Sequence, residues 1–589
     1  MSEPAERITR HSGRVSGDVL RIGNASGFYG DRFNAWREML DGGELDVLTG
    51  DYLAELTMLI LGRDRMRDPG LGYAKTFLRQ LEGTLGAALD RGVRIVTNAG
   101  GLNPAGLAAA VGSLAERLGL DVNVGYVEGD ALPRPDALTA NAYLGAFGIA
   151  AALDAGADVV VTGRVTDASL VVGPAVARFG WGRGDLDALA GATVAGHLLE
   201  CGAQVTGGNF SFFTELPDGG HRPGFPVAEL HPDGSSVITK HPGTGGAVTV
   251  ETVTAQLLYE VGGPAYLGPD VVTHLDSVTL TPDGPDRVRV SGVRGTAPPE
   301  TLKVGVNNLG GFRNSMTFVL CGLDIPAKAA LVRGQVEEAV GKDGLEFVLA
   351  RTDHADATDT EAASALLHVH LRDGDKARAG RAFSAAAVEL ALASYPGCTL
   401  TTLPGDATPY GVFTADTVPQ DAVDHVAVLP DGTRVPIPPP PVTCLEGSLV
   451  QRQALTGVPS LHPTRRGALG ELVGARSGDK GGDANLGVWA RTDATWAWLR
   501  GWLTVERLAE LLPETAPLSV ERYELPNLRA VNFVIRDLLG QGVAASTRFD
   551  PQAKALGELL RSRMVDLPAH LLTGPPAGTA AEPAGEVTP

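Results

Sequence analysis

Residues 94–106, RIVTNAGGLNPAG, decide how the fold is read. Arg94–Thr97 is short, apolar and β-branched, with Gly92 before it and Gly100-Gly101 after it, the pattern of a buried strand. The chain then breaks at Asn98-Ala99-Gly100-Gly101. Pro104 stands near the first turn of an Ala/Leu-rich helix expected to run to about Leu118. In a parallel α/β sheet such a loop lies at the carboxyl end of its strand, where ligands bind. Gly100 and Gly101 would let backbone N–H groups approach a ligand closely, and the helix start favours an anion. A tight strand-to-helix turn without a ligand explains the same residues equally well.

The same unit recurs on both sides. Val19–Ile22 reads as a strand ending in GNASGF, followed by a helix over about 32–40. Leu45–Leu48 is a second strand, ending in Gly50-Asp51-Tyr52, and a helix starting at Asp51 would put Asp51, Glu55 and Met58 near one face. A helix over 72–89 precedes Arg94. Strands over 121–127 and 158–161 follow, with a helix over 141–155 between them. Strands alternating with helices predict an α/β fold, a doubly wound and mainly parallel sheet over 18–204. Asn24, Asp51, Asn98, Arg164 and Asp167 then follow the carboxyl ends of these strands and should line one cleft.

Beyond this sheet, a helix over 186–202 carries His197, Glu200 and Cys201 on one face. They could form a metal half-site or an imidazole-activated thiol, or simply pack. Asn209 follows Gly207-Gly208, which is poor core material. Residues 205–430 read as a second α+β domain, with strand-like alternation at 237–239, 271–293 and 303–320 and helices at 326–341 and 378–394. Lys240 and His241 open KHPGTGG, a run suited to a phosphate or carboxylate, or to a Pro-Gly turn with a solvated lysine. Arg313, in NLGGFRN, is a candidate carboxylate clamp. Pro436 and Pro438–Pro441 mark 431–464 as a stiff linker. Residues 465–570 form a small third α+β unit, in which RSGDKGGDAN (476–485) reads as a loop that must contact a ligand or the first domain to be ordered. Residues 1–18 and 571–589 are expected to be disordered.

Composition sets outer limits. At 589 residues, two to four domains are expected, and 44% hydrophobic with 20% charged residues is a globular balance. A net charge of −20 argues against nucleic-acid or anionic-membrane partners. Four widely spaced cysteines predict neither zinc cage nor disulfides, so no metal is assigned and a reducing, cytoplasmic setting is expected. The N-terminal MSEPAERITRHSG has no signal-like apolar core. Asp154 and Asp158 interrupt the most apolar run, so no membrane span is expected. There is no G-x-G-x-x-G after the first strand, no G-x-x-x-x-G-K-[ST] and no G-x-S-x-G, which leaves the cofactor unknown.

Several unusual runs occur together and in order: RIGNASGFYGD (21–31), GDYLAELTM (50–58), VTNAGGLNP (96–104), TGRVTDASL (162–170), GHLLECGAQVTGGNF (196–210), KHPGTGGAV (240–248) and YEVGGPAYLGPDV (259–271). In them the chain resembles the acyclic terpene utilisation protein A (AtuA-like) family over roughly 18–450. ARSGDKGGDANLGV (475–488) and LPNLRAVNFVIRDLLGQGV (525–543) resemble the ferredoxin-like domain that accompanies that family, fused or as a separate chain. Gly263 stands where the resemblance implies an acidic residue, so no acidic role is assigned there.

The resemblance implies a place in the catabolism of acyclic terpenes through acyl-CoA thioesters. The expected function is a redox-cofactor-independent hydratase or carbon–carbon lyase acting on a small carboxylate or acyl-CoA, in a homo-oligomer. The alternative is a non-catalytic binding or scaffold protein. Asp51, Asp167 and His241 are candidates for proton transfer and Cys201 for a nucleophile. Arg164, Lys240 and Arg313 are candidates for anion binding. Asn24, Asn98, Gly100, Gly101 and Asn209 are further candidate substrate contacts.

Overall fold

The computed structural model describes residues 19–402, 404–445 and 463–572. The leader 1–18, part of the linker and nearly all of the tail lie outside the described residues. Leu20–Asn24, Val47–Gly50, Arg94–Thr97, Val159–Thr162 and Val124–Glu128 lie side by side in that order, all parallel. Side-chain alternation assigns the two faces. Ile22, Val47, Val96 and Val160 pack under Phe147–Asp154, Ser169–Phe179 and Leu186–Glu200. Leu48, Ile95, Val159 and Val161 pack under Ala35–Gly42, Lys75–Glu82 and Pro104–Leu118.

The sheet is not mainly parallel overall. Pro226–Leu230, Ser236–Lys240, Val288–Ser291 and Thr279–Pro282 extend it beyond 20–24, each pairing antiparallel. Val426–Val428 and Arg434–Pro436 extend it beyond 124–128 in the same manner. The result is an eleven-stranded mixed sheet that runs across the expected 204/205 boundary. Antiparallel neighbours need only short turns, so later segments can cover both edges of a parallel core without crossover helices. The proline stretch is likewise no free linker: Arg434–Pro436 is an edge strand and Pro438 O accepts from Arg183.

The rest of 205–430 is built on one 21-residue strand, Thr301–Cys321. It pairs antiparallel with Thr408–Pro419 and Ser364–Asp373, over a separate core of Met316, Phe318, Leu320, Val332, Val336 and Phe383. Thr139–Ala142 pairs with its start, so the helix expected from 141 begins only at Phe147.

The C-terminal unit is a four-stranded antiparallel sheet in the order Val473–Lys480, Asp483–Ala490, Ala530–Ile535, Val520–Leu525, with helices that include Asp493–Trp502 and Leu556–Arg561. The run 476–485, expected as a loop, is a hairpin paired residue for residue up to a Gly481-Gly482 turn. Its glycines look loop-like because another surface comes close. A Cβ on Gly478 would lie 2.2 Å from the Tyr259 ring, and one on Gly487 2.6 Å from Leu258 Cβ. Among the described residues, no helix is long and apolar enough to cross a membrane.

Candidate active site

A cavity of about 1070 Å³ opens between the carboxyl edge of the parallel strands and the C-terminal unit. The first strand ends bring Asp51, Glu55, Arg164 and Asp167 to its wall. The helix 186–200 brings Glu200, the strand 301–321 brings Lys303, and the loop after the helix 250–257 brings Glu260 and Tyr266. The hairpin 473–490 brings Asp479 and Lys480. Phe28, Leu56 and Leu267 also line it and are exposed large apolar side chains.

Asp51 is fixed from below. Its Oδ1 accepts from Asn98 Nδ2 at 2.7 Å and from Leu53 N at 3.1 Å, while Asn98 Oδ1 accepts from Tyr52 N at 2.8 Å. Burial pushes the Asp51 carboxyl well above the usual carboxylate range, and the Asp167 charge adds to this against the pull of Arg164. Arg164 donates to Asp167 Oδ1 at 2.8 Å and to Leu53 O at 3.0 Å, and its guanidinium lies 4.0 Å from the Tyr143 ring centre. Lys303 Nζ lies 4.6 Å from the same ring and 3.9 Å from Glu55.

Glu55 shows the opposite behaviour. Burial would raise its pKa, but Lys303, a backbone N–H, Arg164 and Lys480 outweigh it and hold the carboxylate below its ordinary value. Glu200 is raised well above it by burial, then by Asp167 and Glu260. Its Oε1 lies 2.8 Å from His197 Nδ1, and burial lowers that imidazole to about 4, so burial favours the uncharged form of both partners. Burial also raises Glu260 and Asp479. One cavity therefore holds carboxyl groups shifted in opposite directions, beside Arg164, Lys303 and Lys480. Among the described residues, no group of three His, Cys, Asp or Glu side chains is placed to hold a metal ion.

The expected residues divide sharply. Asp51, Asp167, Arg164, Cys201 and Asn209 line the cavity. Asn98 and Asn24 are buried behind it: Asn24 Nδ2 donates to Leu199 O at 2.5 Å and holds the end of the helix that carries Glu200. Gly100 and Gly101 are packing positions. A Cβ on Gly100 would lie 2.4 Å from Thr162 O, and Gly101 has φ of 52° with Leu61 against it. Burial, Glu260 and Glu200 raise the Cys201 thiol, which opposes the thiolate a nucleophile needs, and its helical neighbour His197 pairs with Glu200 instead.

Three expected residues are elsewhere. Lys240 is spent on Asp286, at 3.0 Å, and on Thr244 O, at 2.7 Å. His241 is buried with Nε2 2.9 Å from Met39 O. Arg313 donates to Ala544 O at 2.7 Å. A Pro-Gly turn packed on its own protein presents the same sequence as one packed on a ligand.

With this geometry in place, comparison with known families is decisive. The family described as acyclic terpene utilisation family protein AtuA matches residues 20–135 and 133–429. The chain belongs to the AtuA family. The AtuA ferredoxin-like domain matches residues 468–566, the C-terminal unit whose hairpin closes the cavity. No curated protein matches the chain. Membership associates the protein with acyclic terpene utilisation.

Proposed function

We propose that this AtuA family protein performs acid–base chemistry, of hydratase or carbon–carbon lyase type, on a small branched carboxylate or its acyl-CoA thioester. The observation that carries this reading is the opposed surroundings of two carboxyl groups in one cavity: Asp51 buried and pushed up, Glu55 beside Lys303 and held down, with Arg164 on the same wall. Titratable groups whose environments push them apart are the signature of an acid and a base. Asp51 and Glu200 hold protons to give and Glu55 accepts one, while Arg164 and Lys303 seat the anionic head. Local cations are required, because a chain of net charge −20 repels anions at long range. The exposed Phe28, Leu56 and Leu267 offer apolar surface for an alkyl portion.

The test is nuclear magnetic resonance of a branched enoyl-CoA and the corresponding β-hydroxyacyl-CoA mixed with the protein in deuterated water. Turnover or deuterium incorporation is expected, lost in Asp51→Asn and Glu55→Gln with ligand affinity retained. Binding without either change would favour a carrier or scaffold role.

A further inference from the structure

Lys480 ends the first strand of the hairpin 473–490, and its side chain crosses the domain junction into the cavity, Nζ donating to Glu260 O at 3.1 Å. The receiving loop is held from the same domain. Asn485 Oδ1 accepts from Glu260 N at 2.8 Å, and Asn532 Nδ2 donates to Val261 O at 3.1 Å. Asn485 and Asn532 are fully buried and hydrogen-bonded to each other. Glu260 adopts φ of 58°, a left-handed conformation uncommon for a non-glycine residue. Strain of this kind persists where the surroundings over-determine it, and it gathers at functional sites. Here the C-terminal domain fixes the Glu260 backbone and sets an amine against it.

We propose that Lys480 is a catalytic amine of this site, condensing with the ketone or aldehyde carbon of a small oxo acid whose carboxylate rests on Arg164 and Lys303. The proposal rests on the anion seat described above. In the step, neutral Nζ adds to the carbonyl carbon. The oxygen takes one proton from Nζ and one from a neighbouring carboxylic acid, and the C–O bond breaks with loss of water. The iminium left on Lys480 accepts the electron pair of an adjacent bond, the proton of a C–H bond passing to a neighbouring carboxylate or the fragment of a C–C bond leaving as carbon dioxide or a second carbonyl compound. The enamine then takes a proton at carbon, and water adds to the iminium to release the amine and a carbonyl. No electron acceptor is needed. The cavity walls and repulsion by Lys303 lower the Lys480 amine to about 8, against the pull of Glu260, Glu55 and Glu200, while the side chain stays open to the solvent that fills the cavity. A lysine beside a second cation is an activated nucleophile.

The test incubates the full chain with levulinate or acetoacetate and sodium borohydride, which reduces an iminium irreversibly to a secondary amine, and maps the adduct by peptide mass. One adduct at Lys480 is expected, rising several-fold between pH 7 and pH 9. It should be absent in Lys480→Arg, which keeps the charge, and in Lys480→Met. Labelling spread over other lysines with Lys480 unmodified would overturn the proposal. Calorimetry of the same oxo acids on wild type and Arg164→Ala separates the two readings. Binding lost in Arg164→Ala with Lys480 unlabelled overturns the amine and keeps the anion seat. Lys480 labelled with binding unchanged in Arg164→Ala does the reverse.

Discussion

Arg164 and Lys240 look alike in the sequence, each a cation at a strand end with glycine within three residues, and the structure gives them different partners. Arg164→Ala removes a guanidinium from the cavity wall. A hydrogen bond to a charged group contributes roughly 1.5–3 kcal/mol, so affinity for a short branched carboxylate should fall about 10- to 150-fold at 1.4 kcal/mol per decade. Arg164→Lys should restore only part of this: one guanidinium nitrogen holds both Asp167 and Leu53 O and leaves the other nitrogens for a carboxylate, a division that a single ammonium cannot copy. Lys240→Ala should leave affinity unchanged and cost stability instead. It strips Thr244 O of its donor, a loss of about 1–3 kcal/mol. Its other partner, Asp286, is 40% exposed and will rehydrate at little cost. The assays are isothermal titration for binding and urea unfolding for stability, with circular dichroism confirming the fold. If Lys240→Ala weakens binding as much as Arg164→Ala, or if Arg164→Ala binds like wild type, the assignment of the anion seat is wrong.

Two further predictions address the framework. Asp130 is buried and accepts from Arg164 N at 2.9 Å and from Asn141 Nδ2 at 2.7 Å; burial, partly offset by these bonds, raises it from 3.8 to about 6. Native protein therefore binds more protons than unfolded protein between those values, and wild type loses stability as pH rises through that window. Asp130→Asn does not titrate, so its stability relative to wild type should climb between pH 4 and pH 6, by up to about 3 kcal/mol at 1.36 kcal/mol per unit, and stay level above; parallel urea curves at all pH values would contradict this. Asn532→Leu should leave Val261 O without its donor and Asn485 Nδ2 without its acceptor, costing about 2–6 kcal/mol at about 1–3 kcal/mol per orphaned group. Hydrogen exchange at 259–263 should accelerate, and unchanged protection there would show that the C-terminal domain does not hold the loop.

The parallel core was legible because strands buried on both faces are short apolar runs, and RIVT, VVVT and DVLTG stop abruptly at glycine or polar residues. The six antiparallel strands at its edges were not assignable to this sheet, because local alternation identifies a strand and not its partner. Val426–Val428 must travel some 300 residues to reach Tyr126–Glu128. The hairpin 473–490 was misread for a different reason. Gly478, Gly481 and Gly482 suggest a loop over 476–485, whereas Gly478 sits in a paired strand and clears room for Tyr259 on a neighbouring unit.

Of the candidate site, Asp51, Arg164 and Asp167 were readable, since polar residues after buried strands converge at one sheet edge. Glu260 and Lys480 were not, because their meeting spans 220 positions and a domain junction. Yet that meeting gives the C-terminal domain a chemical reason to be present. Without the hairpin, Glu260 would lack partners for both its N–H and its C=O in a conformation of φ 58°, and a left-handed glutamate so released would relax. Glu200 would lose part of the burial that raises it, and Glu55 would lose the pull of Lys480 that helps to hold it down. The protonation pattern proposed to drive catalysis thus depends on docking. Fusing the two units in one chain keeps the closing hairpin at high effective concentration over a cavity that both units line.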